Sequence, residues 1–306
     1  MVIGVISDSD AFIPLVGMLL SQRIKVSVFY SPSPDLFVNR QVELFSRQVG
    51  LSIVIEGEKD GEVYDWLHHQ KVDVCFVIGY NRRIALDRLK GVSTQLFNIH
   101  FGLLPSFRGP SPVFWQLKKG GAHLGLSIHR LADQLDRGEV YWKKEIPNLP
   151  HYNLRYVSQL FNQLCVEGVA FILQRLANHQ ALIAITDQSA VSDYQKRPTL
   201  KDVSIDWTQM KASEIVDLVK ACNPWNKGAI TSFKGQEVKL MDAVIGGMSA
   251  GKPGEITDLS EKLSIATVDG KTLESSMLFF MDAYWSVHHL QSMGFRVGDR
   301  FEALSF

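Results

Sequence analysis

The sequence predicts an α/β protein: a doubly wound, mostly parallel sheet in a Rossmann-like arrangement, followed by a smaller β-barrel domain of the OB type. Three observations predict it. Apolar segments and amphipathic segments alternate through the first third of the chain. Residues 74–78, Val-Cys-Phe-Val-Ile, form an unbroken apolar run, as a strand covered on both faces requires. Beyond residue 203 the texture changes to short β-rich segments punctuated by glycine.

Residues 2–6 read as the first strand, and Ser7-Asp8-Ser9-Asp10 then supplies helix caps. Residues 14–20 read as a helix, 25–30 as a β-branched strand, 40–49 as a helix, 51–55 as a strand and 62–69 as a helix. Strands follow at 74–78 and 96–99, a helix at 112–118, and strands near 124–129 and 139–145. Residues 153–177 carry Val157, Leu160, Phe161, Leu164, Phe171 and Ile172 along one face, with Gly168 on the same stripe. A helix with that stripe packs across the sheet.

Residues 187–203 are polar and without period, and read as a linker between a domain at 1–186 and one at 204–306. The second domain opens with a helix at 212–221. Strands are expected at 229–233, 237–243, 263–268 and 278–283.

Charge narrows the function classes. Lys plus Arg equals Asp plus Glu at 32 each, which disfavours a partner held mainly through phosphates. Cys75, Cys165 and Cys222 stand far apart, with no ligand spacing for zinc and no pairing pattern; no metal is expected. The N-terminus lacks a basic leader, and no apolar run is expected to reach the roughly 20 residues of a membrane span. A cytoplasmic protein without membrane association is the expectation. The turn after the first strand reads Ser7-Asp8-Ser9-Asp10-Ala11-Phe12, not the glycine pattern of a dinucleotide fold.

The chemistry concentrates in two segments. Asn98 and His100 lie two apart on a strand end, so they share a face. An amide donor beside an imidazole suits an oxyanion next to a proton transfer. Leu103-Leu104-Pro105 and Arg108-Gly109 make a turned loop behind them. Downstream, a strand leads into a loop with Asp133 and Asp136 before another strand. Read from residues alone, His100 fits a structural role as well as a catalytic one, and the two carboxylates fit solvated caps.

Together these residues resemble the formyltransferases that use N10-formyltetrahydrofolate. Asn98-Ile99-His100, Leu103–Pro105 with Arg108-Gly109, and Asp136-Arg137-Gly138 fit the family's motifs, with Gly102 where the family usually has Ser. Asp206-Trp207, Cys222-Asn223-Pro224-Trp225 and Val238-Lys239-Leu240 resemble its C-terminal domain, where Trp225 reads as a core anchor. The resemblance implies that His100 acts as base or proton relay, Asp136 orients it, and Asn98 donates to the formyl oxygen. It implies a pterin pocket between Tyr80, Asn81, Arg82 and Arg83 on one side and Asp133 and Leu135 on the other. Arg108 and Trp115 would border the acceptor, and no metal is required.

The implied acceptor is a small-molecule amine, foremost an amino sugar on a nucleotide. Methionyl-tRNA formyltransferases usually carry a basic insert after the second strand, and residues 31–40 here are short and nearly uncharged. A tRNA acceptor, hydrolysis of the formyl folate, and a non-enzymatic nucleic-acid-binding module are the alternatives. A changed loop contact is expected at Gly102.

Overall fold

The computed structural model describes residues 1–185 and 193–304. Residues 187–192 of the expected linker lie outside the described residues, as does the expected boundary at 186. The chain divides into two compact units. One holds Met1–Pro112, Gly125–Ile146 and Ser158–Gln195; the other holds Val113–Leu124, Pro147–Val157 and Lys196–Phe306.

The first sheet is built from β1 (Val2–Ser7), β2 (Lys25–Tyr30), β3 (Ile53–Ile55), β4 (Val74–Ile78), β5 (Gln95–His100), β6 (His123–Arg130) and β7 (Val140–Pro147). Its order is β3-β2-β1-β4-β5-β6-β7. The pairs β2–β3, β1–β2, β1–β4 and β4–β5 are parallel, and β5–β6 is antiparallel. Helices α1 (Ile13–Ser21), α2 (Leu36–Val49) and α3 (Glu62–His69) alternate with the early strands. The order reverses direction between β1 and β4, and in such sheets ligands bind beyond the strands' carboxyl ends. That end carries Gly79 after β4 and Phe101 after β5.

Sequence chemistry explains the boundaries. Asp35 caps α2 by accepting the Phe37 N–H at 2.8 Å, and Gly50 ends the helix in a left-handed conformation (φ 65°). Every residue of β4 is buried, which is why it reads as a pure apolar run.

Helix α4 (Pro112–Lys118) precedes β6, and α5 (Leu154–Ala177) follows β7. By length and composition α5 is long and apolar enough to cross a membrane, contrary to the expectation that no run reaches that length. Its apolarity has a packing cause. Val157, Phe161, Cys165, Val169 and Ile172 are buried at helical spacing, while Phe171 is exposed. At Gly168 a Cβ would stand 2.4 Å from Trp142 of β7 and 2.7 Å from Ile128 of β6, so only glycine lets the helix approach this closely.

The second unit carries α6 (Ala212–Cys222), β8 (Ala229–Phe233), β9 (Gln236–Leu240), β10 (Val244–Met248), β11 (Ile256–Asp258), β12 (Leu263–Ala266), β13 (Lys271–Ser275), β14 (Met277–Phe280), β15 (Ala283–Ser286), α7 (Val287–Leu290) and β16 (Phe301–Glu302). Two sheets form, ordered β10-β13-β12-β11 and β15-β14-β9-β8-β16, with antiparallel pairings. Trp207 is fully buried, stacks on Phe301 at 6.0 Å and donates its indole N–H to Thr231 at 2.8 Å. Trp225, the expected core anchor, is half-exposed; it donates to the Ala221 carbonyl and meets Phe114 edge-on. The anchoring role belongs to Trp207.

Candidate active site

Three elements bring the site together. Asn98 and His100 lie at the carboxyl end of β5, and Asp136 lies in the loop from β6 to β7. Asp136 takes a left-handed backbone (φ 54°), which a short polar side chain tolerates. His100 and Asp136 are each 6% exposed.

The geometry centres on the Asp136 carboxylate. Its Oδ2 accepts the Gly109 N–H at 2.8 Å. Its Oδ1 has Asn98 Nδ2 at 3.3 Å, His129 Nε2 at 3.5 Å and His100 Nδ1 at 3.6 Å. Burial alone pushes this carboxyl up, yet the His129 side chain, His100 and the Gly109 amide together hold it below the ordinary carboxylate value. Asp136 is therefore an anion.

His100 Nε2 lies 2.8 Å from the Phe107 carbonyl, an acceptor only, so Nε2 carries the proton in this state. Nδ1 then presents its lone pair towards Asp136. Burial pushes the imidazole below its ordinary value; Asp136 and the Phe107 carbonyl pull upward but do not prevail, and His129 pushes further down. The ring is neutral at neutral pH, as a base must be.

Gly102 sits directly under that ring. A Cβ there would stand 2.6 Å from His100 Nε2 and 2.9 Å from the Phe107 carbonyl oxygen. The Gly102 carbonyl accepts from the Ser127 hydroxyl at 2.8 Å, and that hydroxyl accepts the Leu104 N–H at 3.0 Å, pinning the loop to β6.

Asn98 Nδ2 reaches Asp136 Oδ1 at 3.3 Å and His129 Nε2 at 3.1 Å, and those two atoms are 3.5 Å apart. The law of cosines on 3.1, 3.3 and 3.5 Å gives about 66° between the partners as seen from Nδ2. The two N–H bonds of an amide diverge by about 120°, so a pair this close together can take either one bond or both. An N–H turned from the pair suits an oxyanion.

The residues expected at the pterin fall on two loops joined by Arg83, whose guanidinium donates to the Asp133 carbonyl at 2.9 Å. Tyr80 and Arg82 both bond Glu56 Oε1, at 2.9 and 3.0 Å, and the Asn81 N–H bonds Asp8 at 3.0 Å. Leu135 is exposed. Arg108 is buried, and its Nε lacks a hydrogen-bond partner among the described residues. Trp115 falls in the second unit, where its indole N–H bonds the Lys196 carbonyl at 2.8 Å and Lys118 lies over its ring.

Sequence reasoning missed His129. It is 1% exposed and pairs directly opposite Asn98 in the antiparallel β5–β6 ladder. Glu56 was missed as well; a single carboxylate after a short strand carries no signal in sequence.

Residues 2–171 match the family model described as formyl transferase, and residues 199–277 match that of the formyl transferase C-terminal domain. The methionyl-tRNA formyltransferase of Roseiflexus castenholzii is 28% identical over 277 residues, covering 86% of each protein. The fold is similar to that of an N-formyltransferase from Helicobacter canadensis in complex with folinic acid and dTDP-3-aminofucose. The TM-score is 0.71 at 14% identity, over 90% of this chain and 99% of that one. HypX from Aquifex aeolicus in complex with tetrahydrofolic acid gives a TM-score of 0.67 at 19% identity, over 94% of this chain and 46% of that longer one.

Proposed function

The chain belongs to the formyl transferase family, an N-formyltransferase supplied by a formyl-tetrahydrofolate, and from that premise we propose that it formylates the amine of an amino sugar carried on a nucleotide. The observation that carries the catalytic part is the convergence of Asn98 and His100 on the buried Asp136 carboxylate.

In this reading the neutral amine attacks the formyl carbon of N10-formyltetrahydrofolate. One N–H of Asn98, turned from the Asp136 and His129 pair, meets the oxygen as it becomes an oxyanion; such a donor is worth about 3 kcal/mol of barrier. The ammonium proton passes to His100. For Nε2 to receive it, the Phe107 carbonyl must withdraw and the ring must place its proton on Nδ1, towards Asp136. The anionic Asp136 favours that tautomer. The oxyanion then reforms the carbonyl as the C–N10 bond breaks, and the imidazolium returns the proton to N10, leaving the formamide and tetrahydrofolate. Tyr80, Asn81, Arg82, Arg83, Asp133 and Leu135 are the proposed folate contacts, and Arg108 and Trp115 the proposed acceptor contacts.

The acceptor rests on the segment between β2 and α2. It passes from Tyr30 to the Asp35 cap without a basic insert, and Asn39 closes it by bonding Tyr30 and Ser33 at 2.7 and 2.8 Å. A segment this short and poor in charge offers little to a phosphate backbone. The 28% identity to a methionyl-tRNA formyltransferase favours charged initiator tRNA as the second reading. The test supplies N10-formyltetrahydrofolate with nucleotide-linked amino sugars, charged initiator tRNA, or water alone. Formamide on the amino sugar is the expected product; transfer to tRNA with no turnover of the sugars overturns the proposal.

A further inference from the structure

We propose that His129 is a positioning residue of the formyl-transfer site, its imidazole fixing the Asn98 amide and the Asp136 carboxylate in one arrangement. The inference rests on the formyl-transfer reading above.

The argument begins with register. His129 of β6 lies directly opposite Asn98 of β5, so the two side chains stand on the same face of the sheet. His129 Nδ1 lies 2.8 Å from the Arg130 carbonyl, which only accepts. Nδ1 therefore carries the proton, and in the neutral ring Nε2 holds a lone pair, whereas a second proton there would face Asp136 Oδ1 at 3.5 Å and is what lowers that carboxyl. That lone pair faces Asn98 Nδ2 at 3.1 Å. The amide thus meets two acceptors at this corner, the His129 lone pair and Asp136 Oδ1. Its NH2 end must face them, because a carbonyl oxygen would oppose a carboxylate and a lone pair at once.

The anchor is built into the backbone. At Gly138 a Cβ would stand 1.6 Å from the Arg130 carbonyl oxygen and 3.0 Å from His129 Nδ1. Only glycine lets the chain after Asp136 lie against the carbonyl that holds the ring. A relay follows: Gly138 admits the Arg130 carbonyl, that carbonyl sets the His129 tautomer, and the tautomer sets the amide. Without His129, the amide keeps Asp136 at 3.3 Å alone, and rotation about its last torsion is no longer opposed from the second side.

The test compares the full-length wild type with His129→Leu, which keeps bulk but removes both nitrogens, and His129→Gln, which restores a polar group near Nε2. Rates are measured with N10-formyltetrahydrofolate and the acceptor that the wild type uses, together with thermal unfolding. The expected result is a 10- to 100-fold fall in kcat for His129→Leu, of the order that misplacing a reacting group costs, roughly constant KM, and substantial recovery in His129→Gln. A kcat within about twofold of wild type, a loss confined to KM, or a Gln variant no better than Leu overturns the proposal.

Nitrogen-15 NMR separates this inference from the reading beneath it. The expected spectrum shows His129 as the Nδ1–H tautomer, with the Asn98 side-chain amide shifted in His129→Leu. An Nε2–H tautomer or an unmoved amide sinks the positioning role. A wild type that transfers formyl to no acceptor, with these NMR results intact, sinks only the formyl-transfer reading.

Discussion

At the scale of single residues the site is a problem of where protons sit. His100 is neutral because burial outweighs the pull of Asp136. Titrating its ring by NMR should give a midpoint below 6.5, the ordinary value. Asp136→Asn removes the main group holding the proton on the ring, so the midpoint should fall further; a rise contradicts the assignment. The same substitution should lower kcat by about 10²- to 10⁴-fold, because the imidazolium formed in the reaction loses its counter-charge. Gly102→Ser is expected to cost about 1–3 kcal/mol in chemical denaturation, since its Cβ enters the space between His100 and the Phe107 carbonyl. Much of this site was legible beforehand. Two residues two apart on a strand end must share a face, which exposed Asn98 and His100 as a pair. The distance to Asp136 was not legible, because sequence spacing says nothing about which loops meet. His129 escaped for a sharper reason: its partnership with Asn98 follows from the antiparallel register of β5 and β6, which hydrophobic pattern alone leaves undetermined.

At the scale of elements, legibility followed burial. Lys25–Tyr30, Glu62–His69, Val74–Ile78, Pro112–Lys118 and Ala229–Phe233 carry the expected limits, and each has a clear period or an unbroken apolar run. Helix α2 starts four residues earlier than expected, at Leu36 and not at residue 40, because Leu36 and Phe37 are exposed and blur the amphipathic signal of its first turn. The second unit was read more coarsely. The strand expected at 278–283 is a hairpin of β14 and β15, and β10, which no expected strand covers, runs through Gly246-Gly247. Short, edge-rich strands hold their place by pairing, and pairing leaves little trace in composition. Helix α5 gives the clearest test of packing. Gly168→Leu places a side chain where Trp142 and Ile128 already stand, and should destabilise the protein by about 1–3 kcal/mol in urea unfolding. Phe171→Ala, at an exposed position of the same helix, should cost far less.

At the scale of the whole molecule, the two compact units are not two consecutive stretches of chain. The second unit takes Val113–Leu124 and Pro147–Val157 from the middle of the sequence and packs them with Lys196–Phe306. Lys118 of α4 bonds the Asp202 carbonyl at 2.7 Å, Phe114 meets Trp225 edge-on, and Lys220 of α6 bonds Asn148 at 3.2 Å. At Gly120 a Cβ would stand 2.1 Å from the Asp217 carboxylate, a measure of how closely α6 approaches. A cut at the expected linker would therefore not release an intact first domain. A fragment of residues 1–203 keeps the sheet, but it strips α4 of Trp225 and leaves the Pro147–Val157 segment without Lys220. Such a fragment should bind a hydrophobic dye and melt well below the full chain, although all seven strands of the first sheet are present. If it instead melts cooperatively at the temperature of the full chain, the middle segments owe nothing to residues 204–306, and the consecutive division at 186 is the energetic one. The physical expectation is the first outcome, because Phe114 is buried and loses the edge of Trp225 when residues 204–306 are removed.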